Sequence, residues 1–303
     1  MAGRDLSAEG NGLTPPIYSK SPMKRILASL LTMVALAACA SPLAKAETPE
    51  QALGAAAQRA SQLHSAKFDL TGNVKMTFPS QLGAMFGQSG TSAGSLALDM
   101  TGNGEAQFPD RYHAMINAKL AGLSVATEVV VANGKAYVKN PMTGKWESSA
   151  QGGLSGQLSQ PDPLSYEQLL RNVKSIKDLG ETKLADGTTV RHLQLTPDKD
   201  KLLASFDKAA VKNPQAKAAI AQVLNSGTMT VDVWFGKDDH LVRRITTDAD
   251  YTVDLSQLMG ALGAPSGSSN TVPAGSSIHA TAHIEINYHD FDKPVTISIP
   301  TVG

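Results

Sequence analysis

The stretch Phe68-Asp69-Leu70-Thr71-Gly72-Asn73-Val74-Lys75-Met76 sets the pattern for the chain. Phe68, Leu70, Val74 and Met76 alternate with Asp69, Thr71, Asn73 and Lys75. A period of two sends successive side chains to opposite faces of a strand, so one face looks to a core and the other to water. The pattern recurs downstream. Leu96, Leu98 and Met100 alternate with Ala97, Asp99 and Thr101, and Tyr112, Ala114, Ile116 and Leu120 with Arg111, His113, Asn117 and Lys119. Residues 123–132 carry Val125, Val129, Val130 and Val131, apolar on both faces in places, which predicts a central strand. Asn133-Gly134 predicts a tight hairpin turn into 136–138, and Trp146 closes this meander.

Two further strand groups follow. Residues 175–184 and 188–195 form a predicted hairpin through Asp186-Gly187. Met229, Val231, Val233 and Phe235 then alternate with polar residues, Lys237-Asp238-Asp239-His240 turns, and 241–255 return with Ile245, Tyr251 and Val253 on one face. Ile278, Ala282, Ile284, Ile286 and Tyr288 face one way, with His279, Thr281, His283, Glu285 and Asn287 opposite. A last short edge strand is expected at 293–300.

Helices are expected in three places. Thr48 reads as an N-cap with Pro49 at N1 and Gln51 at N3, starting a helix over 49–64 with Leu53, Ala56, Ala57, Ala60 and Leu63 on one face. A short helix is predicted at 163–172. A third helical region starts at Pro197-Asp198, breaks at Asn213-Pro214 and ends at Gly227 as a C-cap. About ten or eleven strands with helices collected on one face predict an α+β domain whose wide antiparallel sheet twists and curls.

Ahead of this domain, Lys24 and Arg25 precede an apolar run from Ile26 to Ala38, shorter than the roughly 20 residues a spanning helix needs. It closes with Leu36-Ala37-Ala38-Cys39. This resembles a bacterial lipoprotein signal, which implies that Cys39 is acylated and becomes the first residue after cleavage. Two acyl chains would tether the chain stably. Residues 23–38 are thus the expected signal peptide, 39–47 the acylated Cys and linker, and 48–303 the domain. Residues 1–22 are polar and contain Pro15-Pro16; they read either as an over-long start ahead of Met23 or as a disordered leader lost with the signal.

Cys39 is the only cysteine, so its acylation leaves no thiol for a disulfide, metal site or nucleophile. Zero formal net charge argues against nucleic acid as a partner. Aromatics make up only 5%, so the core is aliphatic and a stacking platform for sugars or bases is not expected. No H-E-x-x-H or P-loop occurs, and no enzyme activity or cofactor is expected. His279, His283 and Glu285 share a strand face at a spacing conceivable for a metal, but more in keeping with a polar outer face.

The lipobox, the following helix, Phe68-Asp69-Leu70, Val233-Trp234-Phe235 with Leu241-Val242-Arg243-Arg244, and the ending Tyr288-His289-Asp290-Phe291-Asp292-Lys293-Pro294-Val295 together resemble the actinobacterial lipoprotein family of LppX, LprA, LprF and LprG, within the LolA-like superfamily. The resemblance spans about 49–300, and the chain departs from shorter members at 79–92 and 256–277. It implies a half-barrel with helices on the concave face, enclosing an apolar cavity for the acyl chains of a lipid or lipoglycan. It implies location at the extracytoplasmic face of the cell membrane, and leaves room for a membrane exporter as partner. A monomer is expected. The fold also serves RseB-like envelope sensors that bind proteins, and a structural lipoprotein with a closed core is a third possibility.

The expected cavity residues are Leu70, Val74, Met76, Leu98, Met100, Ile116, Val125, Val129, Val231, Val233 and Ile245, although for each alone a filled core is the simpler role. Two charge-free stretches, 80–87 and 256–263, echo each other. Their Met85, Phe86, Leu258 and Leu262 are candidate gates or membrane-dipping tips, with short helices folded on the core as the equal alternative.

Overall fold

The first predicted strand sits at the middle of the sheet. In a computed structural model, which describes residues 47–79, 94–120, 122–149, 172–208, 214–255 and 276–302, β1 (Ser65–Phe78) is flanked by β2 (Gly94–Gln107) and by the last strand, β11 (Ser277–His289). The chain divides into two units, Met1–Glu47 and Thr48–Gly303, and every element below belongs to the second.

From β1 the chain meanders outward through β2, β3 (Arg111–Leu120), β4 (Leu123–Ala132), β5 (Lys135–Lys139) and β6 (Trp146–Ser149). It reappears at the opposite edge as β7 (Val173–Lys183). It then meanders back through β8 (Thr189–Pro197), β9 (Gly227–Gly236) and β10 (Val242–Asp254) to β11. Among the described residues the result is one open sheet of eleven strands in the order β6-β5-β4-β3-β2-β1-β11-β10-β9-β8-β7, antiparallel throughout. Its edges are protected as unpaired edges usually are: β6 has four residues, and β7 carries two register shifts, one at Gly180, whose φ is 87°.

The turns follow their residues. Asn133 and Gly134 both have positive φ (53° and 70°), the requirement of a type I′ hairpin. Gly187 has φ 85° in the β7–β8 hairpin, where the Leu184 N–H bonds the Thr188 carbonyl.

Helix α1 (Pro49–Ser61) begins with a capping box: the Gln51 N–H donates to Thr48 Oγ1 at 3.3 Å and the Thr48 N–H to Gln51 Oε1 at 3.0 Å. It stops short of residue 64, because Ser65 is already paired with Gln107 and the chain needs 62–64 to turn. Ala52, Leu53 and Ala56 of α1 pack into a cluster with Phe68, Leu193, Leu195, Val231, Val233, Phe235, Val242, Ile245 and Tyr288. Helices α2 (Lys199–Lys208) and α3 (Pro214–Asn225) precede β9, and α3 lies against β9 and β10.

Three expectations fail. The strand at 123–132 is not central: β4 is third from an edge, and its two-faced apolarity reflects Val130, 4% exposed on the otherwise polar face. Residues 293–300 form no strand. Both sides of β11 are taken by β1 and β10, and Asp290 and Asp292, at φ 53° and 55°, turn the chain away. Gly227 is no helix cap; it opens β9 opposite Tyr251. The helix expected at 163–172 lies, but for its last residue, outside the described residues.

The terminal motif is a clasp. The His64 N–H donates to Asp292 Oδ1 at 2.8 Å, Arg59 Nη2 to Asp292 Oδ2 at 3.3 Å, and the Asp292 N–H to the Ser65 carbonyl at 2.9 Å. Asp292 thereby joins the end of α1, the start of β1 and the exit from β11. The His64 N–H, and then Arg59, hold the Asp292 carboxyl below its ordinary range despite some opposing desolvation. A carboxyl depressed on folding contributes stability that is present above its unfolded pKa and lost as pH falls through the folded one. Asp292→Asn should therefore cost about 1 kcal/mol at neutral pH, a value reduced for solvent screening. The gap to the parent should shrink as urea melts are taken below about pH 4. A gap that stays constant with pH would show that the clasp does not depend on the charge.

Candidate functional site

Cross-strand partners in an antiparallel sheet share a face, so the register fixes what each face presents. One row runs Ile116, Gly102, Leu70, Ile286, Ile245, Val233, Leu193. The next runs Val125, Ala118, Met100, Gly72, Ile284, Thr247, Val231, Leu195. A third runs Leu123, Leu120, Leu98, Val74, Ala282, Ala249, Met229. Met76 extends β1 on this face beyond Val74, and Val129 lies on it opposite Ala114. The register thus brings all eleven expected cavity residues onto one apolar face that crosses most of the sheet.

They are not equivalent. Val231, Val233 and Ile245 are 2%, 2% and 8% exposed and belong to the closed core shared with α1. Leu70, Val74, Met76, Leu98, Met100, Ile116 and Val129 are half-buried, and Val125 is 45% exposed. The apolar face therefore has a sealed half under α1 and a half around β1–β4 whose aliphatic side chains stay partly accessible.

Two glycines shape the open half. A Cβ on Gly72 would stand 3.0 Å from Met100 Cε, so the Met100 thioether leans over a residue with no side chain. A Cβ on Gly102 would stand 2.7 Å from the Met115 carbonyl oxygen, so β3 approaches β2 more closely there than a larger residue allows. Met side chains adapt to varied apolar contacts and suit a surface of changing occupancy. Periodicity groups Ile284 and Ile286 on one face of their strand, but their place beside Leu70 and Gly72, and that of Gly102, follows from the β1–β2 and β1–β11 register, which periodicity alone does not give.

The opposite face is largely polar, and its histidines pair with carboxylates. His283 Nδ1 is 2.7 Å from Asp248 Oδ1, and His279 Nε2 is 2.8 Å from Asp250 Oδ1. Glu285 accepts from Asn287 Nδ2 at 2.7 Å. His279 and His283 are thus held in cross-strand pairs, Glu285 is held by Asn287 of its own strand, and among the described residues no group of three His, Cys, Asp or Glu is arranged to hold a metal. His192 stacks on Trp234 with ring centroids 4.1 Å apart and places Nε2 2.6 Å from the buried Asp232 carboxylate.

A separate cleft of about 330 Å³ opens where β3, β4 and the β5–β6 turn meet, lined by Met115, Ile116, Asn117, Glu128, Lys139 and Asn140 among others. Burial pushes the Glu128 carboxyl up, but hydrogen bonds from His113 (2.9 Å) and Lys139 (3.2 Å) outweigh it and leave the carboxyl lowered. The cleft's two charges neutralise each other, and its chemistry specifies no ligand.

Cys39 and the expected gate residues Met85, Phe86, Leu258 and Leu262 lie outside the described residues. No described helix is long and apolar enough to cross a membrane.

No protein-family model and no curated protein matches the chain. Among solved structures the chain is similar to LprF from Mycobacterium bovis, at 16% identity and a TM-score of 0.44, over 84% of this chain and 97% of that one. It is also similar to a DUF1329 family protein from Desulfovibrio piger, at 11% identity and a TM-score of 0.26, over 82% of this chain and 93% of that one.

Proposed function

We propose that the protein is a lipid-anchored extracytoplasmic carrier that shelters the acyl chains of a lipid or lipoglycan without chemically changing them. Cys39 holds it to the membrane, the sheet curls into a half-barrel about its apolar face, and the helices complete a cavity there. The observation that carries this is the division of the apolar face. A domain needing only a core would seal both halves alike, whereas Leu70, Val74, Met76, Leu98 and Met100 stay half-buried on the strands flanking the sheet's centre.

The energetics suit a carrier. Moving a sixteen-carbon tail from water onto such a surface is worth roughly 13 kcal/mol at about 0.8 per methylene. The donor bilayer shelters the tail equally well, so the net preference is small and the lipid loads and unloads.

Native mass spectrometry after gentle extraction tests this. A co-purifying acylated lipid, displaced when Leu98 and Met100 are both replaced by Ser, is the expected result. A protein that is lipid-free when extracted from its own membranes, and stays so after incubation with them, overturns it. Capture of a membrane-protein partner by that lipid-free protein would point instead to a sensor.

A further inference from the structure

The apolar face does not stop inside the sheet. Its third row ends on the β3–β4 hairpin, where Leu120 and Leu123 are direct cross-strand partners and are 41% and 74% exposed. Val125, the next residue of β4 on that face, is 45% exposed. Three aliphatic side chains thus stand in solvent on one face of a two-stranded tip that turns at Gly122, whose φ is 86°. Residues 118–127 carry a single charge, the cation Lys119, on the other face of β3 opposite Asp99.

We propose that this hairpin tip seats in a phospholipid surface and is where an acyl chain passes between bilayer and protein, a role that rests on the carrier function above. Such a tip is too small for a stable protein interface, which buries about 800 Å² per partner around aromatic or arginine anchors. Residues 118–127 contain neither. A lipid interface asks only for aliphatic side chains to enter the acyl boundary and for basic groups near the headgroup phosphates. Leu120, Leu123 and Val125 meet the first need and Lys119 the second. Each aliphatic side chain so buried favours the bound state by about tenfold or more.

The tip also leads somewhere. From Leu123 the row continues through Leu120 and Leu98 to Val74 on the central strand β1, three strand spacings or about 14 Å, with no polar side chain between. An acyl chain leaving the bilayer at Leu123 moves along that row without being exposed to a charged or hydrogen-bonding group.

The test uses the full chain with Cys39→Ser, which removes the only native thiol, and a polarity-sensitive fluorophore on Leu123→Cys. Control labels sit at Thr101→Cys, on the polar face, and at Lys183→Cys, at the end of edge strand β7. Vesicles contain equal parts of phosphatidylglycerol and phosphatidylethanolamine, with or without lipid bearing a nitroxide near the headgroup. Each label reports its own surroundings, however the rest of the chain meets the vesicle.

A blue shift at position 123 that the nitroxide quenches, at a depth of about 5–10 Å and absent at 101 and 183, is the expected result. An unshifted label at 123 overturns the proposal. So does a shift the nitroxide does not quench, which would mean that a second copy covers the tip. Leu123→Asp should abolish the vesicle-dependent part of fluorescent-lipid transfer; since this side chain is exposed, the domain stays folded. Lipid found by mass spectrometry with an unquenched label leaves the carrier standing and removes the tip, whereas quenching without bound lipid does the reverse.

Discussion

Leu193→Ala is expected to cost about 3–4 kcal/mol, whereas Leu98→Ala, on the same sheet face, is expected to cost about 1. Leu193 is fully buried between Val233 and Asp178 of the neighbouring strands and belongs to the cluster closed by α1. Removing its isobutyl group leaves a void that packed neighbours cannot fill, so a cavity penalty adds to the lost transfer energy. Leu98 lies between Val74 and Leu120 on the half-accessible part of the face. That region is already partly open to solvent, so truncation forfeits only part of a transfer term. Urea denaturation separates the two. The same pair should diverge the other way in lipid retention: Leu98→Ala lowers it, and Leu193→Ala leaves it intact in the folded fraction. Equal stability costs at the two sites would mean that both halves of the face are sealed core.

The contrast between Leu98 and Leu193 also marks the limit of what the chain discloses before folding. Alternation places both on an inward face, because the period of two depends only on backbone geometry. The hairpins at Asn133-Gly134 and Asp186-Gly187, the capping box at Thr48 and the helix start at Pro214 are equally local, and all are legible. Accessibility is not local. It depends on α1 lying over β8–β10 rather than over β2–β4, and on β1 pairing with β11 across more than two hundred residues of sequence. The strand at 123–132 misleads for the same reason: Val130 is buried on the polar face by its surroundings, not because its strand is central. The eleven aliphatic residues could thus be grouped from sequence, but only the register and the helix position divide them into core and candidate lipid surface.

Gly227→Ala is expected to destabilise the domain by about 3 kcal/mol, at the upper end of overpacking costs, and to lower the melting temperature by roughly 10 °C. A Cβ there would overlap the Asp250 carbonyl oxygen and stand 2.6 Å from the Tyr251 Cα. Both obstacles are backbone of β10, a strand held on both sides by β9 and β11, so neither can rotate aside as a side chain would. Gly227 also accepts from Lys199 Nζ at 2.6 Å, which ties the start of α2 to the point where β9 begins. Pushing β9 outward therefore strains the α2 contact and the seat of α3 together. Gly54→Ala supplies the control. Gly54 is exposed within α1, nothing lies within 4 Å of its would-be Cβ, and the helix should gain about 0.5–1 kcal/mol. One substitution at two glycines should thus shift the urea midpoint in opposite directions. If Gly227→Ala melts with the parent, β9 and β10 do not approach as closely as their register requires.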